Sequence, residues 1–221
     1  MRDQGEQRLK KDLFGEVRLA GPAGARHIVR DTSGAPLWTR WVARRLLARE
    51  ARVLAALDGI DGVPELLRAE RDRLERSYLD GSPLYEARCA DPAYYRHALA
   101  LLRRLHRAGV VHNDLAKEPN LLVRSDGRPA FIDFQLAWFA PRRGRLFRLL
   151  GREDLRHLLK HKRSYCPERL TAAQRRILAT PSLPARAWKA TGKRLYLFVT
   201  RRLLGWADRE GAADRHAARG P

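Results

Sequence analysis

The chain has 221 residues and a formal net charge of +20, with a sequence pI of about 11.2. It is long enough for one domain or two small lobes around a real core. Only seven of its 45 basic residues are lysine, so arginine carries the excess. That charge suits an anionic partner such as nucleic acid, a phospholipid surface or a phosphorylated glycan, or else reflects an arginine-rich genome and a solvated basic surface. Cys89 and Cys166 stand far apart without CxxC or His spacing, which argues against a disulfide framework or a zinc site. Met1–Lys11 is polar and no apolar run approaches the roughly 18–20 residues of a membrane span. The expectation is a cytoplasmic protein, with peripheral contact at the inner face of the cell membrane open.

Residues 13–30 read as short strands around a Gly-Pro-Ala-Gly turn at 21–24. Residues 38–57 read as a helix stopped by Asp58-Gly59. Its apolar stripe is Leu46, Leu47, Val53, Leu54 and Leu57, and Glu50 completes the pattern. A carboxylate inside a buried stripe is costly unless paired. Arg30, on the preceding strand His27-Ile28-Val29-Arg30, is the candidate partner. Arg76–Leu79 reads as a further strand, closed by Asp80-Gly81-Ser82-Pro83. Asp91-Pro92 is a helix start, with Asp as N-cap and Pro in the first turn, and Gly109 is the stop. The chain after residue 140 is mostly helical by period, with a breaker at Pro181-Ser182-Leu183-Pro184. Strands early, helices late and a change of character near residue 80 predict two lobes with a cleft between them.

The densest chemistry lies in the second half, in Val111-His112-Asn113-Asp114-Leu115-Ala116-Lys117-Glu118-Pro119-Asn120 and then Asp133-Phe134-Gln135. Leu121-Leu122-Val123 and Ala130-Phe131-Ile132 read as two strands about an Asp126-Gly127 turn. Folding there pairs 123 with 130, 121 with 132 and 120 with 133. Asn120 and Asp133 then meet at one end of the hairpin, within reach of a shared hard cation. Pro129 is the weak point of that ladder, since it has no N–H to donate. One carboxylate to orient an attacking hydroxyl, plus an amide and a second carboxylate for a magnesium ion, are the parts a phosphoryl-transfer site needs.

On these residues the chain resembles the protein-kinase-like phosphotransferases over roughly residues 13 to 155. Phe14-Gly15-Glu16-Val17 resembles the tail of a kinase glycine-rich loop. Arg30 falls where the strand lysine belongs and Glu50 where the helix C glutamate belongs. Tyr78-Leu79-Asp80-Gly81 resembles the hinge. His112-Asn113-Asp114 stands in the catalytic loop, and Asp133-Phe134-Gln135 stands for Asp-Phe-Gly. Within the superfamily the chain looks most like the bacterial lipopolysaccharide core sugar kinases and the RIO-type kinases.

The resemblance implies an α+β, two-lobed protein-kinase-like fold, with a small β-rich N-lobe at 1–80 and a mainly helical C-lobe at 81–221. It implies ATP and Mg2+ as cofactors. Asp114 would accept or orient the acceptor hydroxyl, and Lys117 would steady the transferring group. Gly15, Arg30, Glu50, Tyr78 and Leu79 would bind nucleotide, and Asn120 and Asp133 would hold the metal. His112 is expected to be structural, and Asp154 to brace the catalytic loop from a later helix or to serve as an acid near a helix N-terminus.

The departures from the pattern are a glycine loop reduced to Gly15, arginine for lysine at 30, one extra residue between Asp114 and Asn120, and Gln135 for glycine. Gln135 to Arg163 contains no Ser, Thr or Tyr, so no phosphorylated activation loop is available there. The expected acceptor is an anionic glycolipid or sugar. A RIO-like serine/threonine protein kinase, and a pseudokinase serving as a binding module on RNA, membrane or protein, are the alternatives. Residues 189–206 read as a basic amphipathic helix, either packed on the C-lobe or facing an anionic membrane.

Overall fold

The computed structural model describes residues 7–22 and 24–180. The expected breaker at 181–184 and the basic helix at 189–206 lie outside them. The described residues up to Leu178 form one compact unit.

The first part is a five-stranded antiparallel sheet of β1 (Gln7–Asp12), β2 (Gly15–Ala20), β3 (His27–Asp31), β4 (Leu66–Ala69) and β5 (Arg73–Ser77), in the order β1-β2-β3-β5-β4. Sequence reading expected strands from residue 13 and missed β1, whose residues are nearly all exposed and show no apolar alternation. Its lysines suit a sheet edge, where charge discourages pairing with another chain. The strand expected at 76–79 begins earlier and ends at Ser77, so Tyr78 and Leu79 follow it.

Helix α1 (Leu37–Ala56) runs between β3 and β4. Leu47, Val53 and Leu54 of its stripe are buried, as is Leu57 just beyond it. Burying such side chains stabilises by roughly 1.5–3 kcal/mol each.

The second part is mainly helical. Short β6 (Ser82–Pro83) and α2 (Leu84–Ala87) lead into α3 (Pro92–Arg107). Asp91 caps α3, its carboxylate accepting the Ala93 N–H at 2.8 Å, with Pro92 in the first turn as expected. Then come β7 (Val110–Val111), β8 (Leu121–Val123), β9 (Pro129–Phe131), β10 (Trp138–Phe139), α4 (Arg145–Tyr165) and α5 (Ala172–Ala179). Leu102, Leu105, Leu121, Phe131, Phe134 and Leu158 belong to the continuous apolar core.

The β8–β9 hairpin forms, but one residue out of the expected register: Leu121 pairs with Phe131, Leu122 with Ala130 and Val123 with Pro129. The cause is the turn. Gly127 N–H donates to the Arg124 carbonyl and Arg124 N–H to the Arg128 carbonyl, both at 2.9 Å. The loop therefore has three residues, with Gly127 at φ +74° supplying the left-handed position that such a loop needs. This register also places Pro129 harmlessly. Arg124 and Ile132 donate across the ladder, the latter to the Asn120 carbonyl at 3.0 Å. Position 129 falls between these bonded pairs, where its missing N–H costs nothing.

Candidate active site

Three backbone segments carry the expected residues: β3 with α1, the loop after β7, and the loop after β9. The loop after β7 is fastened first. Asp154 of α4, fully buried, accepts the backbone N–H groups of His112 at 2.7 Å and Asn113 at 2.9 Å. It also meets His106 Nε2 at 3.3 Å. Asp154 thus acts as the brace anticipated from the sequence, and not as a helix N-terminal acid.

His112 is buried, with Nε2 3.1 Å from the Ile132 carbonyl and its ring tilted against Phe134, centroids 4.6 Å apart. Burial pushes its pKa below the ordinary histidine value, so the ring is a neutral strut between the two loops. Asn113 adopts φ +63°, a left-handed conformation that Asn tolerates better than most residues. Its amide nitrogen donates to the Leu136 carbonyl at 3.0 Å.

Asp114 lies just beyond this fastening. The Asn120 amide nitrogen donates to its carboxylate and to its backbone carbonyl, both at 3.0 Å. Lys117 Nζ stands 3.0 Å from the same carboxylate. The structure therefore brings Asp114, Lys117 and Asn120 together. A neighbouring cluster holds the loop from its far side. Tyr165 donates to Glu118 at 2.5 Å, and His161 meets the Leu115 carbonyl at 2.8 Å.

Arg30 spans the remaining gap. Its guanidinium is 3.6 Å from Glu50 and 3.8 Å from Asp133. Glu50 has no exposed surface, which answers the question its place in an apolar stripe raised: it is a buried, paired carboxylate. Sequence reading missed its second partner, Arg76 of β5, at 3.3 Å. Burial lowers the Arg76 pKa, with Glu50 opposing that shift. The signal was strand parity: Leu74 is fully buried, and Arg76, two residues on, shares its face.

Asp133 itself takes φ +62° and ψ +73°, a strained backbone of the kind found at functional sites. Its Oδ1 is buried without a hydrogen bond. Asn120 spends its amide nitrogen on Asp114, which leaves its oxygen as the free ligand atom. A buried acceptor and an amide oxygen make a donor set suited to Mg2+, which takes few protein ligands and completes its shell with phosphates and water. Among the described residues there is no cluster of three His, Cys, Asp or Glu able to cage a metal alone.

Gly15, at φ +124°, opens β2 after the β1–β2 turn. A Cβ there would sit 2.1 Å from the Asp31 carbonyl, so close packing on β3 already demands this glycine. A cavity of about 40 Å3 lies by the turn, lined by Phe14, Gly15, Val17, Arg30 and Gln135 among others. Tyr78 and Leu79 are half-buried beyond β5. Tyr78 N–H donates to the Arg26 carbonyl at 3.2 Å and is therefore occupied within the sheet.

An antiparallel sheet with one long helix, followed by a helical part carrying the Asp114 loop and the Asp133 hairpin, is a two-lobed protein-kinase-like fold. It is similar to the Rio2 kinase from Chaetomium thermophilum, with a TM-score of 0.59 at 15% identity over 79% of this chain and 62% of that one. A second Rio2 structure from the same organism, a complex with ADP, Mg2+ and phosphoaspartate, matches with a TM-score of 0.55 at 16% identity over 86% and 65%. The chain thus spans somewhat under two thirds of the length of these kinases. Residues 28–155 match the phosphotransferase enzyme family, and the chain belongs to that family. No curated protein matches it.

Proposed function

We propose that this chain transfers the γ-phosphate of ATP to a hydroxyl group of an anionic glycolipid or sugar, with Mg2+. The observation that carries the reading is the convergence of Asp114, Asn120 and Asp133 with Arg30, itself tied to Glu50 at 3.6 Å. ADP and Mg2+ in the Rio2 complex support nucleotide and metal use on this fold. The lobes divide near residue 80, where the sheet gives way to helices, and Tyr78 and Leu79 line the adenine side.

In this reading Asp114 accepts a hydrogen bond from the acceptor hydroxyl and aims it at the γ-phosphorus. As the new P–O bond forms and the bond to the ADP oxygen breaks, the hydroxyl proton passes to Asp114. Lys117, on the same carboxylate at 3.0 Å, steadies charge on the transferring group. Arg30 turns from Asp133 toward the α- and β-phosphates while Glu50 stays paired to its Nε. Asn120 and Asp133 would hold Mg2+, which would neutralise phosphate charge there. The contribution of the chain is positioning and fixed charge. The net charge of +20 supports an acidic acceptor.

Asp133→Ala is expected to abolish magnesium-dependent turnover of ATP while circular dichroism and melting stay those of a folded protein. Undiminished turnover would sink the metal assignment. A second reading, a nucleotide-free pseudokinase, draws on the contact between Arg30 and Asp133 at 3.8 Å, which sets a cation of the protein where the metal would go. Isothermal titration with Mg-ATP separates the two, since a pseudokinase locked this way takes up no heat.

A further inference from the structure

Helix α1 presents an unusual outward face. Trp38, Trp41, Arg45, Ala48 and Arg52 follow one another at spacings of three and four, and all are exposed. Leu37 is 81% exposed, Trp38 61% and Trp41 59%. The only acidic residue of the helix is Glu50, which points inward and is fully buried. The outward face therefore carries aromatic and basic groups without a carboxylate. The Arg45 guanidinium lies over the Trp41 ring, 5.3 Å from its centroid.

The patch continues across the chain. Thr39 Oγ1 donates to the Leu13 carbonyl at 2.7 Å, which fixes the β1–β2 turn against the first turn of α1. Leu13 is itself 39% exposed. Beyond it, β1 displays Lys10 and Lys11, both exposed.

Large apolar side chains gathered on a surface and rimmed by charge mark an interaction site. We infer that this face, Leu13, Leu37, Trp38 and Trp41 rimmed by arginine and lysine, docks on the surface of an anionic lipid bilayer. Tryptophan settles at the headgroup level, with its ring in the apolar boundary and its N–H in the wet layer. Basic side chains at the rim are drawn to anionic headgroups. Charge complementarity and the aliphatic members decide between partners: nucleic acid would use the arginines and the indoles, but has no use for Leu37 or Leu13. The Leu13 turn also carries Gly15. On the phosphotransfer reading above, docking would bring headgroup hydroxyls to the phosphate end of the site. The docking itself is independent of that reading and is measured without nucleotide.

The full chain is mixed with sucrose-loaded vesicles of phosphatidylcholine, with and without about one third phosphatidylglycerol, and sedimented. Trp38→Ala/Trp41→Ala and, separately, Leu37→Glu are compared, each checked for an unchanged melting temperature. Partition onto anionic vesicles that is at least tenfold weaker in both variants, with little wild-type binding to neutral vesicles, is the expected result. Leu37→Glu keeps the test valid if the double variant fails to fold. Wild-type protein left in the supernatant, or variants that bind anionic vesicles as tightly as wild type, overturns the inference. So does salt-sensitive binding to an RNA oligonucleotide that both variants lose while vesicle binding persists. Binding at 0.5 M salt unchanged from low salt would contradict the role given to the basic rim.

Discussion

The two sides of the candidate site are built by different means. On the Asp114 side, backbone N–H groups are held by a buried carboxylate at 2.7 and 2.9 Å, and an amide holds Asp114 at 3.0 Å. On the Arg30 side, one buried glutamate faces two arginines at 3.6 and 3.3 Å, and Asp133 lies 3.8 Å away. These are ion pairs and not aligned hydrogen bonds, since neither Glu50 oxygen makes one. Short directional bonds fix the geometry where, on the proposed function, a proton would be received. Looser charge contacts would leave the other side free to exchange one anionic partner for another, as nucleotide binding on that reading requires.

The largest effect is expected at Glu50. Glu50→Ala leaves two guanidinium groups facing each other without their shared anion, and removing one partner of a buried pair costs about 3–5 kcal/mol. A chemical denaturation curve should show a loss of that size, whereas a change below ~1 kcal/mol would mean that the cluster is solvated. Asp154→Asn is the smaller test of the other side. It turns one acceptor into a donor opposite a buried N–H, for about 1–3 kcal/mol. It should also slow turnover with little change in KM, because Asp114 loses its alignment while the phosphate side stands. An equal fall in nucleotide affinity would contradict the division.

A further effect is one of pH. Burial lowers the pKa of His112 and His161, and it pushes His157 down to about 4. The unfolded chain holds these histidines near about 6.5 and so binds more protons than the fold between those limits. Stability should be retained above pH 6.5 and fall as pH drops from there toward 4. A thermal melting series that stays flat over that interval would show the three rings to be hydrated.

The charge cluster and the hairpin were not equally legible in the sequence. Glu50 stood out because a carboxylate inside an apolar stripe needs a partner, and Arg30 lay on the adjacent strand. Arg76 escaped because the strand was started at it; once β5 begins at Arg73, the alternation puts it inward beside Leu74. Asp126-Gly127 announced a turn, but dipeptide composition does not separate a two-residue loop from a three-residue one. Only the hydrogen bonds of the Ser125-Asp126-Gly127 turn settle the register, with Leu121 opposite Phe131. Gly15 stands out in the sequence as the last of a kinase-like glycine loop, whereas its packing demand, a Cβ clash with the Asp31 carbonyl, is visible only in the fold. The fastening of His112 and Asn113 by Asp154, about forty residues downstream, was within reach of the family resemblance but not of any local pattern.

The most direct test of the central claim is transfer of label from γ-labelled ATP, with Mg2+, to a bacterial envelope fraction by wild-type protein and by Asp114→Ala. Label in glycolipid that disappears with Asp114→Ala is the predicted result. Equal labelling by a folded Asp114→Ala protein would contradict the account, because the hydroxyl would then be oriented without the carboxylate proposed to hold it.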